Sequence, residues 1–305
     1  MVRLGVDLGG TKIEIVALDE SGEELLRRRR ATPADDYRKI LDAIVSLVAA
    51  AESELRQTGS VGVGTPGALS RATGLLKNSN TVCLNGQPLL QDLERVLDRQ
   101  VRVANDANCF ALSEAVDGAG VDAEVVFGVI IGTGTGAGVV VNKKILTGPN
   151  AIAGEWGHNP LPWPQTDEWP GPQCYCGATG CIETFLSGPG LQRSHQYAGG
   201  DQLTAQEIVE RAVAGDGDCQ RSLDTYYDRM ARALAHVINL LDPDVIVLGG
   251  GLSNIPSLYT EIPARWGQYV FSDRVDTVLS PPQHGDSGGV RGAAWLWASA
   301  GTFLR

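Results

Sequence analysis

Short apolar runs alternate with amphipathic stretches along the whole chain. Arg3-Leu4-Gly5-Val6-Asp7 is an apolar strand that runs into Gly9-Gly10-Thr11, and Ile13 to Leu18 resumes as strand. Val125 to Ile131 repeats the arrangement, followed by Gly132-Thr133-Gly134-Thr135-Gly136 and then Val139-Val140-Val141. Each pair predicts a β-hairpin with glycines at its tip, and the repetition predicts a duplicated domain. Between them, Tyr37, Ile40, Leu41, Ile44, Val48, Ala51 and Leu55 mark one face of a long helix. A strand at Val61 to Gly64, a helix near Leu89 to Leu97, a strand at Val101 to Ala104 and a helix over Asn105 to Val116 follow. In the second half, Thr204-Ala205-Gln206-Glu207 is a capping box that opens a helix. A longer helix covers about Ser222 to Leu241, and a buried strand at Val245 to Leu248 ends in Gly249-Gly250-Gly251.

Alternating strands and helices predict an α/β protein in two lobes. The smaller lobe spans residues 1–118 and is completed by a C-terminal helix at about 290–305; the larger spans 119–289. Ligands in such folds sit at the carboxyl ends of strands, and every glycine-rich tip falls there.

Composition narrows the function. The 305 residues are 43% hydrophobic and 20% charged, as expected of a folded domain. A formal net charge of −11 argues against nucleic acid as a partner. The run Arg27 to Arg30 follows Glu23 and Glu24 in a strand-like stretch and reads as a solvated edge. Val125 to Asn142 is uncharged for 18 residues, but its five glycines and β-branched clusters describe two strands around a loop, not a membrane span. Strand sequence begins directly at the N-terminus, with no signal peptide, and the six cysteines fit a reducing compartment, so a cytoplasmic location is expected. Cys83, Cys109 and Cys219 read as small buried hydrophobes.

The other three cysteines carry chemistry. Cys174-Tyr175-Cys176-Gly177-Ala178-Thr179-Gly180-Cys181 and His158 place four ligand-type side chains within 24 positions, bracketed by Glu155 and Glu183. Three thiolates and an imidazole suit zinc, and a set that fills all four positions of a tetrahedron predicts a structural ion.

Three loops suit phosphate. In Asp7-Leu8-Gly9-Gly10-Thr11-Lys12, open backbone N–H groups can approach phosphate while Asp7 can hold Mg²⁺ through water. Gly132 to Ala137 matches G-x-G-x-x-A, but that fingerprint must open a helix, whereas Val139-Val140-Val141 continues as strand. No G-x-x-x-x-G-K-[ST] sequence occurs, so a P-loop is excluded. Two facing hairpins with Gly249 to Gly251 better fit a nucleotide held between lobes. Asn105-Asp106 ends a strand and opens a helix: Asp106 reads either as an N-cap or, at the cleft rim, as a general base.

These motifs, in this order, resemble the ROK family (repressor, open reading frame, kinase), and the resemblance spans nearly the whole chain. It implies a two-lobed actin-like (ribonuclease-H-type) sugar kinase ATPase fold with a structural zinc site, usually as a homodimer. Family repressors carry a helix-turn-helix domain before the first glycine motif; here that motif starts at residue 7, so a kinase is expected. The resemblance implies ATP and Mg²⁺ as cofactors. Sugar would be read by Asn105, Asp106, Glu155, His158 and Glu183, beside the Gly64-Thr65-Pro66-Gly67 loop. Asp106 would be the general base. Asp7, Gly9, Gly10, Thr11, Lys12, Gly132, Thr133 and Gly134 would hold phosphates, Gly249, Gly250 and Gly251 the adenosine side, and His158, Cys174, Cys176 and Cys181 the zinc.

Within the family, Leu84 to Pro88, Glu155 to Trp163 and His284 to Gly292 look most like bacterial fructokinases (mannofructokinases). Asn105 to Phe110 and Gly250 to Asn254 are shared with N-acetylglucosamine kinases, the close alternative; mannose and glucose are further candidate hexoses. Fifteen residues rich in Pro and Trp separate His158 from Cys174, more than in many members. A non-catalytic sugar sensor would be expected to lose Asp106 or a phosphate glycine, and a zinc-stapled interaction protein would not need two phosphate hairpins.

Overall fold

The computed structural model describes residues 2–33, 35–285 and 288–297. Asp286 and Ser287 of the His284 to Gly292 motif, and the chain after residue 297, lie outside the described residues.

Both predicted hairpins form. β1 (Arg3–Leu8) and β2 (Lys12–Leu18) pair antiparallel, β3 (Glu24–Ala31) adds at the outer edge, and β4 (Ser60–Thr65) joins β1 in parallel. A small ribbon of β5 (Ala68–Leu69) and β6 (Leu76–Lys77) stands apart, and β7 (Val101–Asn105) completes the sheet in the order β3-β2-β1-β4-β7. β8 (Val125–Ile131), β9 (Thr135–Val141), β10 (Lys144–Ile145), β11 (Val245–Gly249) and β12 (Val278–Ser280) build the second sheet, in the order β10-β9-β8-β11-β12. The two orders repeat one scheme: an antiparallel hairpin, a third strand at its edge, then two parallel strands on the far side. β1 and β11 are almost wholly buried because helices cover both of their faces, which is why they read as continuous apolar runs.

The arginine run is the edge strand β3. Arg27 and Arg29, on one face, hold the buried Glu14 of β2 at 2.6 and 2.9 Å. Arg28, on the other, pairs with Glu54 of α1 (Tyr37–Leu55). α1 starts at Asp36, whose side chain accepts from the Lys39 N–H, and α2 (Leu89–Leu97) has the predicted bounds.

The helices that follow each sheet in sequence exchange places. α3 (Asp106–Asp117) leaves the first sheet but packs on β8 and β9, whereas α10 (Gly288–Trp295) follows the second sheet and lies on β1 and β4. The approach is backbone to backbone: a Cβ on Gly62 would stand 1.9 Å from the Ala293 carbonyl oxygen, and one on Gly292 would stand 1.6 Å from that of Cys109. Val16, Phe110, Ala111, Val126, Val247, Val290 and Trp295 share one core between the lobes. Asp117 ties the crossing together, accepting from Arg291, from Trp295 Nε1 at 3.0 Å and from His284 Nε2 at 3.1 Å.

In the larger lobe, α4 (Ile182–Leu186), α5 (Gly188–Tyr197), α6 (Ala205–Val213), α7 (Gly217–Leu241), α8 (Leu258–Glu261) and α9 (Pro263–Trp266) cover the second sheet. The capping box at Thr204 and Glu207 is present. α7 starts five residues before the expected Ser222, because Asp216 caps it through the Asp218 and Cys219 N–H groups while its first turn is too polar to show an apolar stripe. Cys109 and Cys219 are buried, but Cys83 is only half-buried, since its short 3₁₀ turn lies on the surface.

The Pro- and Trp-rich segment is anchored to α7. Arg232 grips Glu168 with two hydrogen bonds of 2.8 Å, Arg229 adds a third, and Arg232 Nη1 also donates to the Trp163 carbonyl at 2.8 Å. Burial alone would push Glu168 up, but the arginine hydrogen bonds overcome it and hold the carboxyl down at about 2. Among the described residues, no helix is long and apolar enough to cross a membrane.

Candidate active site

Parallel pairing aligns the chemistry of the first lobe on one edge. Asp7 at the end of β1 is in register with Gly64 of β4, and Thr65 with Asn105 of β7. Asn105 caps α3, accepting from Ala107 N–H at 2.9 Å and Asn108 N–H at 3.3 Å. This corrects the expected helix start by one residue and leaves Asp106, at the first helical position, free of the capping role. Its Oδ1 accepts from Ala107 N–H at 2.8 Å.

Asn105 Nδ2 donates to the Gly67 carbonyl at 3.1 Å, joining the Gly64 to Gly67 loop to the helix start. Gly67 has φ +81°, and a Cβ there would stand 2.3 Å from the Lys77 carbonyl, so only glycine closes this turn.

The carboxylates crowd. Burial pushes the Asp7 carboxyl up to about 7, and the charges of Asp106 and Glu14 add to it, against Lys12. Burial also raises Asp106, with Glu155 adding repulsion. Lys12, placed among the phosphate groups by the resemblance, turns its ammonium to Glu14 at 3.8 Å.

Gly9 and Gly10 form the tip of the first hairpin, closed by a Gly9 N–H to Lys12 carbonyl bond of 3.0 Å. Gly132 and Gly134 close the second at 2.9 Å, and the exposed Thr133 stands between them. Gly249 pairs with Ile130 of β8, so Gly249, Gly250 and Gly251 emerge beside the second hairpin. β9 continues as antiparallel strand after Gly134, in agreement with the rejection of a dinucleotide fingerprint.

Between the hairpin and the cysteine segment lies Glu183, on the first turn of α4, whose Oε2 accepts from the Thr135 N–H at 2.9 Å. One of its oxygens is therefore committed to the second glycine hairpin.

His158, Cys174, Cys176 and Cys181 converge, with ligand atoms all within 4.8 Å of one another. His158 Nδ1 lies 3.6 Å from Cys174 Sγ, and Cys176 Sγ the same distance from Cys181 Sγ. A tetrahedral ion with bonds of about 2.3 Å has edges of about 3.8 Å, so the four groups could hold a metal with little movement. The remote nitrogen, His158 Nε2, is 2.9 Å from the hydroxyl of Tyr175. Tyr175 was missed in the sequence, where the only signal was an aromatic residue between two ligand cysteines. Glu155 is exposed in the same corner, one residue before the buried Trp156.

A cavity of about 630 Å³ opens between the Pro/Trp segment, α5 and α7, at Trp169, Phe185, His195 and Arg229. It shares no lining residue with the acidic edge or the cysteine cluster.

Two ribonuclease-H-type sheets joined by crossed helices, with glycine hairpins and an acidic strand edge meeting at one end, define a sugar-kinase fold. The ROK family profile matches residues 3–300, and the chain belongs to the ROK family. Among curated relatives it is 40% identical over 299 residues to an N-acetyl-D-glucosamine kinase of Photobacterium profundum, covering 96% of this chain and 98% of that protein. It is 40% identical over 296 residues to the enzyme of the same name from Escherichia coli DH10B, with the same coverage. Among solved structures, the ROK hexokinase of Thermus thermophilus superposes with a TM-score of 0.86 at 30% identity, over 96% of this chain and 97% of that one. The ROK glucokinase of Streptomyces griseus, solved with glucose and AMPPNP, gives 0.77 at 29%, over 97% and 99%.

Proposed function

We propose that the protein is an ATP-dependent hexose kinase that transfers the γ-phosphoryl group to the 6-hydroxyl of N-acetyl-D-glucosamine. The observation that carries the reading is Glu183: the same carboxylate that borders the cysteine cluster holds the second glycine hairpin through Thr135, so the sugar side and the phosphate side form one wall. N-acetyl-D-glucosamine is favoured over the fructose expected from motif resemblance by the names of the 40%-identical relatives. Fructose stays as a second reading, because the Glu155 to Trp163 motif that suggested it continues into the segment anchored through Glu168 and Arg232.

Asp106 is the proposed general base. Its raised pKa makes it a better proton acceptor than an ordinary carboxylate, and it stands at the first helical position of α3. Asn105, Glu155, His158 and the free oxygen of Glu183 would order the sugar hydroxyls. The N–H groups of Gly10 and Thr11, and of Thr133 and Gly134, would hold the phosphates on turns that Gly9 and Gly132 close, with Gly249 to Gly251 toward adenosine. In phosphoryl transfer through a loose transition state, positioning and charge neutralisation outweigh base strength. Asp7 would hold Mg²⁺ through water; the ion supplies neutralisation of the phosphate charge.

The donor set of three thiols and an imidazole, at near-tetrahedral separations, fits zinc. We assign His158, Cys174, Cys176 and Cys181 to a structural zinc that braces the sugar wall, and a homodimer to the whole, as the resemblance implies.

The test is kcat/KM for N-acetyl-D-glucosamine, D-fructose, D-mannose and D-glucose with ATP and Mg²⁺. A tenfold or larger preference for N-acetyl-D-glucosamine is expected. Preference for fructose would establish the second reading, and ATP consumption independent of sugar would refute both.

A further inference from the structure

We propose that Tyr175 is a built-in competitor of the sugar: its hydroxyl takes the position at His158 Nε2 that a sugar hydroxyl takes on binding. This rests on the assignment of His158 to the sugar site.

The geometry points this way because Tyr175 is 80% exposed yet held by a specific bond. Its hydroxyl is 2.9 Å from Nε2, and its ring stands edge-on to the imidazole, with centroids 5.1 Å apart at 88°. The backbone beneath it is a tight turn, Cys174 N–H bonding the Ala178 carbonyl at 2.8 Å and Gly177 N–H the Cys174 carbonyl at 3.1 Å. The turn fixes where the side chain starts but leaves its outer face without packing, so the phenol can swing aside at small cost. His158 Nδ1 faces the cysteine sulfurs. With a metal on Nδ1, the ring proton sits on Nε2, which can only donate. The phenol oxygen accepts that proton as a sugar hydroxyl would, and one N–H directed to a single acceptor serves only one of them well.

A direct sugar ligand and a competitor predict opposite signs. Tyr175→Phe keeps the ring and removes the hydroxyl. If Tyr175 competes, the variant binds sugar more tightly, by about 2- to 10-fold, the range of one net hydrogen bond. KM for sugar falls while kcat does not rise.

The measurement is the dissociation constant of N-acetyl-D-glucosamine and of D-fructose by calorimetry on zinc-loaded wild type and Tyr175→Phe, with the metal content of each protein determined. Tighter binding at an unchanged zinc content is expected. An unchanged or weaker dissociation constant at an unchanged zinc content overturns the proposal. If Tyr175→Phe loses zinc, Tyr175→Leu and Tyr175→His are measured with zinc held in excess, and sugar binding no tighter than wild type in both again overturns it. The kinase reading fails separately, if the wild type phosphorylates neither sugar.

Discussion

The carboxylate of Glu183 and the backbone N–H of Thr135 are joined by a hydrogen bond of 2.9 Å, across 48 residues of chain. It connects the helix that follows the last cysteine of the cluster to the first residue of β9, at the base of a glycine hairpin. A group that only read sugar would affect sugar KM alone. Glu183→Ala is expected to raise KM for both sugar and ATP, each by about 10- to 100-fold, the worth of a charge-assisted hydrogen bond. A rise confined to sugar in steady-state kinetics would separate the two walls.

Gly134 offers an independent check of the same joint. A Cβ at this position would stand 2.7 Å from Glu183 Oε2. Gly134→Ala should therefore push the carboxylate off its hairpin and reproduce the double KM effect without touching Glu183. Kinetics matching wild type would show that the hairpin tolerates the shift.

Asp106→Asn should lower kcat by about 10²- to 10⁴-fold, the usual worth of a general base. Sugar affinity, measured by calorimetry, should change far less, because an amide keeps most of the hydrogen-bonding capacity. Near-normal turnover would remove Asp106 from the mechanism.

Asp7 sets function against stability. Its folded pKa of about 7 lies above the usual carboxylate value, so the folded state favours the protonated form. Its ionisation costs stability progressively as pH rises from about 4 through 7. At pH 8, Asp7→Asn is expected to melt higher than wild type, by about 2–4 °C for each kcal/mol relieved. At pH 4 the two should melt together. The same variant should lose Mg²⁺-dependent turnover. Equal melting at both pH values would show that the crowding of Asp7 has no energetic weight.

Glu168 has the opposite sign. Its folded pKa of about 2 lies below the unfolded value near 4.5, so its contribution is full above that value and is lost as pH falls through 2. Removing its two-toothed partner by Arg232→Met leaves the buried carboxylate to Arg229 alone and should cost about 1.5–3 kcal/mol in denaturant unfolding at pH 7. The difference from wild type should shrink below pH 4.5.

Chelation or Cys176→Ser is expected to release about one zinc equivalent and to weaken sugar binding more than nucleotide binding. A protein that stays metal-free and fully active would exclude the bracing role.

Local periodicity and turn chemistry made much of the fold readable in advance. The β1–β2 and β8–β9 hairpins, α2 and the Thr204 capping box stand where the pattern placed them, because residues a few positions apart determine them. The start of α7 was not readable, since a capping Asp216 and a polar first turn carry no apolar stripe. Nor was Asn105 distinguishable from Asp106 as the cap, because both side chains can fill that role and only the backbone angle at Asn105 selects it.

The sequence by itself determined the ligand types, the glycine tips and the acidic strand ends, because each is a property of a short segment. It also placed the four cluster side chains within reach of one ion, since they sit on a single stretch of chain. Only the tertiary structure decided that α3 packs on the second sheet, that Glu168 is bound by Arg229 and Arg232, that Glu183 holds Thr135 and that Tyr175 holds His158. The first three contacts join segments tens to hundreds of residues apart, and the last depends on how a turn aims one side chain. Spacing along a chain carries no record of which segments meet in space, or of the direction in which a turn projects a ring.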